Sequence, residues 1–89
     1  MSTAKEIAAA EMNATERVMA ILHNVKPSLG DVSVEDEIGA QFDSLDIVTL
    51  IGAFEDEFGI EIDPEAIIPE NFDSVVAMVH MVETALERG

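Results

Sequence analysis

The chain contains no cysteine, tryptophan or tyrosine, and only four of its 89 residues are basic. Each shortage excludes something. Without thiols there is no disulfide, no thiolate metal site and no cysteine nucleophile. Four phenylalanines are the whole aromatic complement, so the interior has to be built mainly from Ile, Val, Leu, Met and Ala, which suits slender helices packed at close range. With 19 Asp and Glu against 4 Lys and Arg, the net charge is −15. That excludes nucleic acid as a partner, because binding it depends on cations that displace phosphate counterions. Long apolar runs are missing too. The stretch Ile7-Ala8-Ala9-Ala10 ends at Glu11, too short for a membrane span or a signal peptide, and the expectation is a soluble, cytoplasmic protein.

Eighty-nine residues with 48% hydrophobic content support one domain with one core. The four cations are Lys5, Arg17, Lys26 and Arg88. No acid between Asp31 and Glu87 therefore has a Lys or Arg partner within that stretch. Such a surface attracts proteins that carry basic patches.

Residues 1–13 read as a helix-prone extension and residues 14–89 as the folded domain. Asn13 and Glu16 are spaced as a cap pair opening a helix over residues 14–25, with Val18, Ile21, Leu22 and Val25 on one face. Pro27 and Gly30 end it. From residue 28 to 42 the period is lost, which predicts a long loop pinned by Val34, Ile38 and Phe42. The strongest helix covers residues 43–58, where Ile47, Leu50, Ile51, Phe54 and Phe58 share a face and Gly59 stands at the C-terminal cap. Ile60 and Ile62 read as an extended link. Asp63-Pro64-Glu65 starts a short helix closed by Pro69. A last helix over residues 73–87 carries Val75, Val79, Val82 and Leu86. The predicted fold class is all-α: a four-helix bundle of three main helices and one short one, with the long loop between the first two main helices.

One tripeptide occurs twice, as Phe42-Asp43-Ser44 and Phe72-Asp73-Ser74, each at a predicted helix start. Helix capping alone accounts for both copies. The residues that follow separate them. Ser74 is followed by apolar Val75-Val76-Ala77, whereas Ser44 is followed by Leu45-Asp46, which adds a second carboxylate. A hydroxyl at a helix N-terminus between Asp43 and Asp46 has backbone donors for an attached phosphate and carboxylates for a divalent ion. It suits a modification site better than a nucleophile, since no general base lies nearby in sequence.

The run Asp43-Ser44-Leu45-Asp46, continued by Val48, Leu50, Phe54-Glu55 and Glu57-Phe58-Gly59-Ile60, resembles the acyl carrier proteins of fatty-acid and polyketide synthesis over residues 14–88. The resemblance implies a carrier that is not itself an enzyme and has no catalytic or resident metal site. It implies a 4′-phosphopantetheine arm, transferred from coenzyme A to Ser44 by a separate phosphopantetheinyl transferase, with Asp43 helping to hold the Mg²⁺ used in the transfer. Leu45, Asp46, Val48, Glu55 and Asp56 then match positions that dock onto acyl-transfer, condensing and modifying enzymes with basic patches. The carrier is expected to be a monomer. Thr49 departs from a common Glu and Gly52 from a common bulky apolar residue, Gln41-Phe42 is inserted before Asp43, and the extension is not a usual part of the fold.

Two other readings stand beside this one. The first is an aminoacyl or peptidyl carrier for nonribosomal or cell-envelope chemistry; the second, of a different class, is an unmodified acidic helical adaptor. His23 and His80 lack the partners of a metal site, and the acidic runs Glu35-Asp36-Glu37 and Glu55-Asp56-Glu57 lack the glycine and alternating ligands of a calcium loop.

Overall fold

A computed structural model of the protein describes residues 13–88; up to residue 12, the predicted N-terminal extension lies outside them. Helices form where the apolar period is strongest. In α1 (Ala14–Val25) the Asn13 side chain accepts the Glu16 N–H at 2.8 Å, as the cap spacing predicts. In α2 (Ser44–Phe58) Asp43 is the N-cap, and Gly59 closes the helix at φ 63, ψ 40, a left-handed conformation that strains any residue with a Cβ. α3 (Val75–Arg88) begins two residues later than predicted. There is no strand among the described residues.

The core is shared among the three helices. Val18 and Leu22 from α1, Leu50 and Phe54 from α2, and Val75, Met78 and Val82 from α3 are fully buried. α1 packs against both other helices, while α2 and α3 touch each other less. Burial of an aliphatic side chain of this size stabilises by about 1.5–3 kcal/mol. One expectation needs correction: Leu86 is 45% exposed, because the fully buried part of α3 ends at Val82, one turn earlier. Met78 and Met81 point inward in its place.

The loop after α1 is pinned much as predicted, with Ile38 and Phe42 buried, Val34 half-buried and Leu29 adding a fourth anchor. It is also tied to the start of α3 by backbone hydrogen bonds. The Ile38 N–H donates to the Asp73 carbonyl at 2.7 Å, and the Val76 N–H donates to the Val34 carbonyl at 3.0 Å. Gly39 makes this approach possible, since a Cβ there would lie 2.7 Å from Asp73 Oδ1 and 3.2 Å from Asp73 Cα.

The predicted short helix takes another form. Residues Pro64–Ala66 make one 3₁₀ turn and Pro69–Phe72 a second. Pro69 is the reason. It forces the preceding Ile68 into extended backbone at φ −127, ψ 153 and lacks the N–H an α-helix would need. Asp63 still caps the first turn, accepting the Glu65 N–H at 2.9 Å, and the Asn71 side-chain amide donates to the Ala66 carbonyl at 2.6 Å to join the two turns.

The ion pairs follow the uneven spread of charge. Among the described residues, all three join a cation outside the 31–87 stretch to an acid within it: Arg17 to Glu57 at 2.8 Å, Lys26 to Asp46 at 3.3 Å and Arg88 to Asp63 at 3.2 Å. Arg17 also donates to the Glu57 carbonyl at 2.7 Å and lies 4.3 Å from the centre of the Phe58 ring. α1 thereby grips α2 at both ends.

Candidate functional site

Four residues around the start of α2 form a closed set of contacts. Asp43 lies in extended backbone, where its Oδ1 accepts the Asp46 N–H at 2.8 Å, while Asp46 Oδ2 accepts the Asp43 N–H at 3.2 Å. This reciprocal capping box satisfies donors that a helix end leaves free. Lys26, the C-cap of α1, adds its ammonium 3.3 Å from the same Asp46 Oδ2 and sits 5.9 Å from the centre of the Phe42 ring. The Asp43 N–H, with Lys26 beside it, holds the Asp46 carboxyl below the usual carboxylate range. By the same logic the Glu65 N–H and Arg88 lower Asp63.

Ser44 is the first residue of α2 and is exposed. Its hydroxyl forms no hydrogen bond among the described residues, because Asp43 has taken over the capping role. The first-turn amides of Ser44 and Leu45 are likewise left without a partner in the helix. A phosphodiester on the Ser44 oxygen would thus meet free donors and the positive end of the helix dipole.

At the second copy of the tripeptide the register differs. Ser74 itself caps α3, its Oγ accepting the Ala77 N–H at 3.2 Å, and Asp73 adopts a helical backbone with its carbonyl bonded to Ile38. The Ser74 hydroxyl is half-buried and engaged.

The predicted docking residues are placed in two groups. Leu45 and Val48 stand on the outside of α2, 76% and 66% exposed, and Asp56 is exposed further along. Glu55 and Asp46 are half-buried and hold internal partners, Glu55 accepting the Ile62 N–H at 3.0 Å and Asp46 holding Lys26 and the Asp43 N–H. Gly52 faces open space, so the roughly 1 kcal/mol that a helical glycine costs has no compensating contact within the chain.

Next to Ser44 opens a largely apolar cleft of about 600 Å³, lined by Phe42, Ile47, Val48, Ile67, Ile68 and Phe72, with the aspartates Asp43 and Asp73 also in its lining. Residues 67, 68 and 72 drew no functional reading from the sequence. The available signal was the pair Ile67-Ile68 held between Pro64 and Pro69, apolar residues in a turn too short to bury them. Lys26 was also missed, although a lone cation beside Pro27 facing a cation-free stretch pointed to it. His23 Nε2 lies 2.7 Å from the Gly30 carbonyl and His80 is exposed. Among the described residues, no three His, Cys, Asp or Glu side chains gather as a metal cage, and no helix is long and apolar enough to cross a membrane.

Comparison with known proteins agrees with this geometry. The family model described as the phosphopantetheine attachment site matches residues 19–82, most of the chain. No solved structure matches it.

Proposed function

We propose that this chain, which belongs to the phosphopantetheine attachment-site family, bears its arm on Ser44 and serves as an acyl carrier protein. Membership makes it a non-catalytic carrier with a covalent 4′-phosphopantetheine group, acted on by a phosphopantetheinyl transferase and by biosynthetic enzymes. It removes the reading as an unmodified adaptor. The attachment point rests on one observation above the others: the Ser44 hydroxyl is exposed and unbonded, while that of Ser74 is spent on a cap.

In the transfer, the Ser44 oxygen forms a bond to the phosphorus that carries pantetheine in coenzyme A. The pyrophosphate bond breaks, adenosine 3′,5′-bisphosphate leaves and the hydroxyl proton passes to a base on the transferase. Asp43, whose Oδ1 accepts the Asp46 N–H, would have its other oxygen free to help hold the Mg²⁺ used in the transfer, where the ion would supply charge neutralisation. When bound, the arm supplies a terminal thiol that holds cargo as a thioester. This brings in the thiol that a cysteine-free chain lacks.

The cleft beside Ser44, with Phe42, Ile47, Val48, Ile67, Ile68 and Phe72 in its lining, supports acyl cargo of the fatty-acid or polyketide type, whose alkyl chain it would cover. Leu45 and Val48, with Asp56 and the rims of Asp46 and Glu55, form the surface offered to basic partner enzymes, and the protein works as a cytoplasmic monomer. Incubation with coenzyme A, Mg²⁺ and a broad-specificity transferase, followed by intact-mass and fragment analysis, should add one phosphopantetheine on Ser44. An unmodified chain, or the group on another residue, overturns the attachment site. Loading the arm with a medium-length acyl chain should shift the NMR signals of Ile67, Ile68 and Phe72. Equal shifts with an aminoacyl group would overturn the acyl assignment.

A further inference from the structure

Lys26 has no part in the transfer chemistry, yet it reaches the attachment turn from another helix. Its position is fixed at both ends. As the C-cap of α1 its own N–H donates to the Leu22 carbonyl at 2.8 Å, and Pro27 immediately begins a 3₁₀ turn, so the side chain departs from a defined point. Its ammonium ends 3.3 Å from Asp46 Oδ2, with the two side chains only 27% and 23% exposed. Partial shielding makes such a pair stronger than a fully solvated one.

We propose that Lys26 is a positioning residue for modification of Ser44: it pins the Asp46 carboxylate in the capping box and so fixes the turn that aims the Ser44 hydroxyl. This rests on Ser44 being the attachment point. The box has a strong half and a weak half. The Asp46 N–H reaches Asp43 at 2.8 Å, but the return bond, from the Asp43 N–H to Asp46 Oδ2, is 3.2 Å long. Lys26 is bonded to that second oxygen and reinforces the weaker half. Ser44 sits between the two aspartates as the first residue of α2, so the backbone of that first turn sets the direction of its Cα–Cβ bond. Helix ends fray readily, and a turn opening at Asp43 spreads the positions of the serine oxygen. Attack on phosphorus needs that oxygen in line with the departing adenosine bisphosphate, so misalignment lowers the rate of the chemical step and leaves association untouched. Arg17 and Arg88 are engaged elsewhere, with Glu57 and Asp63.

The test compares wild type, Lys26→Met, Lys26→Arg and Arg88→Met as transferase substrates, with amide hydrogen exchange followed by NMR on the same proteins. Arg88→Met removes the same charge from an ion pair at Asp63. The expected result is a kcat about fivefold lower for Lys26→Met with KM unchanged, the scale one partly shielded ion pair can supply. Exchange at the Asp43 and Asp46 amides should quicken by a similar factor, Lys26→Arg should restore both, and Arg88→Met should alter neither. An unchanged kcat in Lys26→Met, an equal loss in Arg88→Met, no rescue by Arg, or an effect confined to KM each overturns the proposal. A wild type left unmodified at Ser44 overturns the attachment site and this role with it, whereas a modified wild type with an indifferent Lys26→Met overturns this role alone.

Discussion

Phe42-Asp43-Ser44 and Phe72-Asp73-Ser74 share a sequence, a buried phenylalanine and a place at the mouth of a helix, yet they are used one residue out of register. In the first copy Asp43 caps and Ser44 is left free; in the second Ser74 caps and its hydroxyl is consumed. The deciding residue lies three beyond the aspartate. Asp46 can return a hydrogen bond to the Asp43 N–H and receive Lys26. Val76 can return none, and its own N–H goes instead to the Val34 carbonyl of the docked loop. A serine at a helix start is therefore available for chemistry when a neighbouring carboxylate has relieved it of the cap.

The sharpest way to break this comparison is to remove each serine. Ser44→Ala should abolish phosphopantetheine transfer outright while changing stability by less than about 0.5 kcal/mol. Ser74→Ala should leave transfer intact and cost about 1 kcal/mol, as expected for a lost cap. Intact mass and denaturant melts read the two outcomes, and the same phenotype in both variants would dissolve the distinction.

Next in size is Gly39→Ala. The added Cβ would meet the Asp73 backbone and the Phe72 carbonyl, at 3.2 and 3.3 Å, so the loop must give way at the second tripeptide, whereas no atom of the first lies among the three nearest to that Cβ. A destabilisation of about 1–3 kcal/mol is expected, with faster amide exchange at Ile38 and Val76 and normal exchange at Asp46. Adding Asp73→Ala should relieve only the side-chain part of the clash.

The aspartates give a smaller contrast of the opposite sense. Asp43→Ala should cost about 1 kcal/mol in equilibrium unfolding, and Asp73→Ala less than about 0.5 kcal/mol, since its side chain caps nothing. Equal costs would mean that the registers are not as described.

Acid provides the mildest probe. The Asp46 carboxyl is held below its ordinary value, so its contribution is complete above the unfolded pKa of about 3.9 and is lost as pH falls through the lower folded value. The cap on α3 is a hydroxyl and does not titrate in this range. Below about pH 4 the Asp43 amide should lose protection relative to the Ala77 amide. Parallel loss at both would show general acid unfolding.

Much of the fold was readable along the chain because its signals are local. The spacing of Val18 and Leu22, the Asn13 cap and Gly59 each act within a turn or two, and α1 and α2 appear where those signals lie. The failures sit where distant residues compete. The α3 start moved from Asp73 to Val75 because the Asp73 carbonyl and the Val76 N–H are bonded to the loop. The short helix is a separate case with a local cause: it is a single 3₁₀ turn, Pro64–Ala66, and Pro69, which closes it as expected, also opens a second turn. The candidate site was legible at Ser44 through Asp43 and Asp46, while the cleft was not, since its lining draws Phe42 and Phe72 from opposite halves of the sequence.

Taken alone, the order of residues determined an acidic, cysteine-free, all-helical chain with a serine between two aspartates at a helix start, because composition, period and capping depend on near neighbours. Tertiary structure decided which of two identical tripeptides leaves its hydroxyl free, where Lys26 lands and what forms the apolar cleft. Those outcomes depend on backbone donors and side chains brought together from far apart, and a hydrogen-bonding group can be claimed only once.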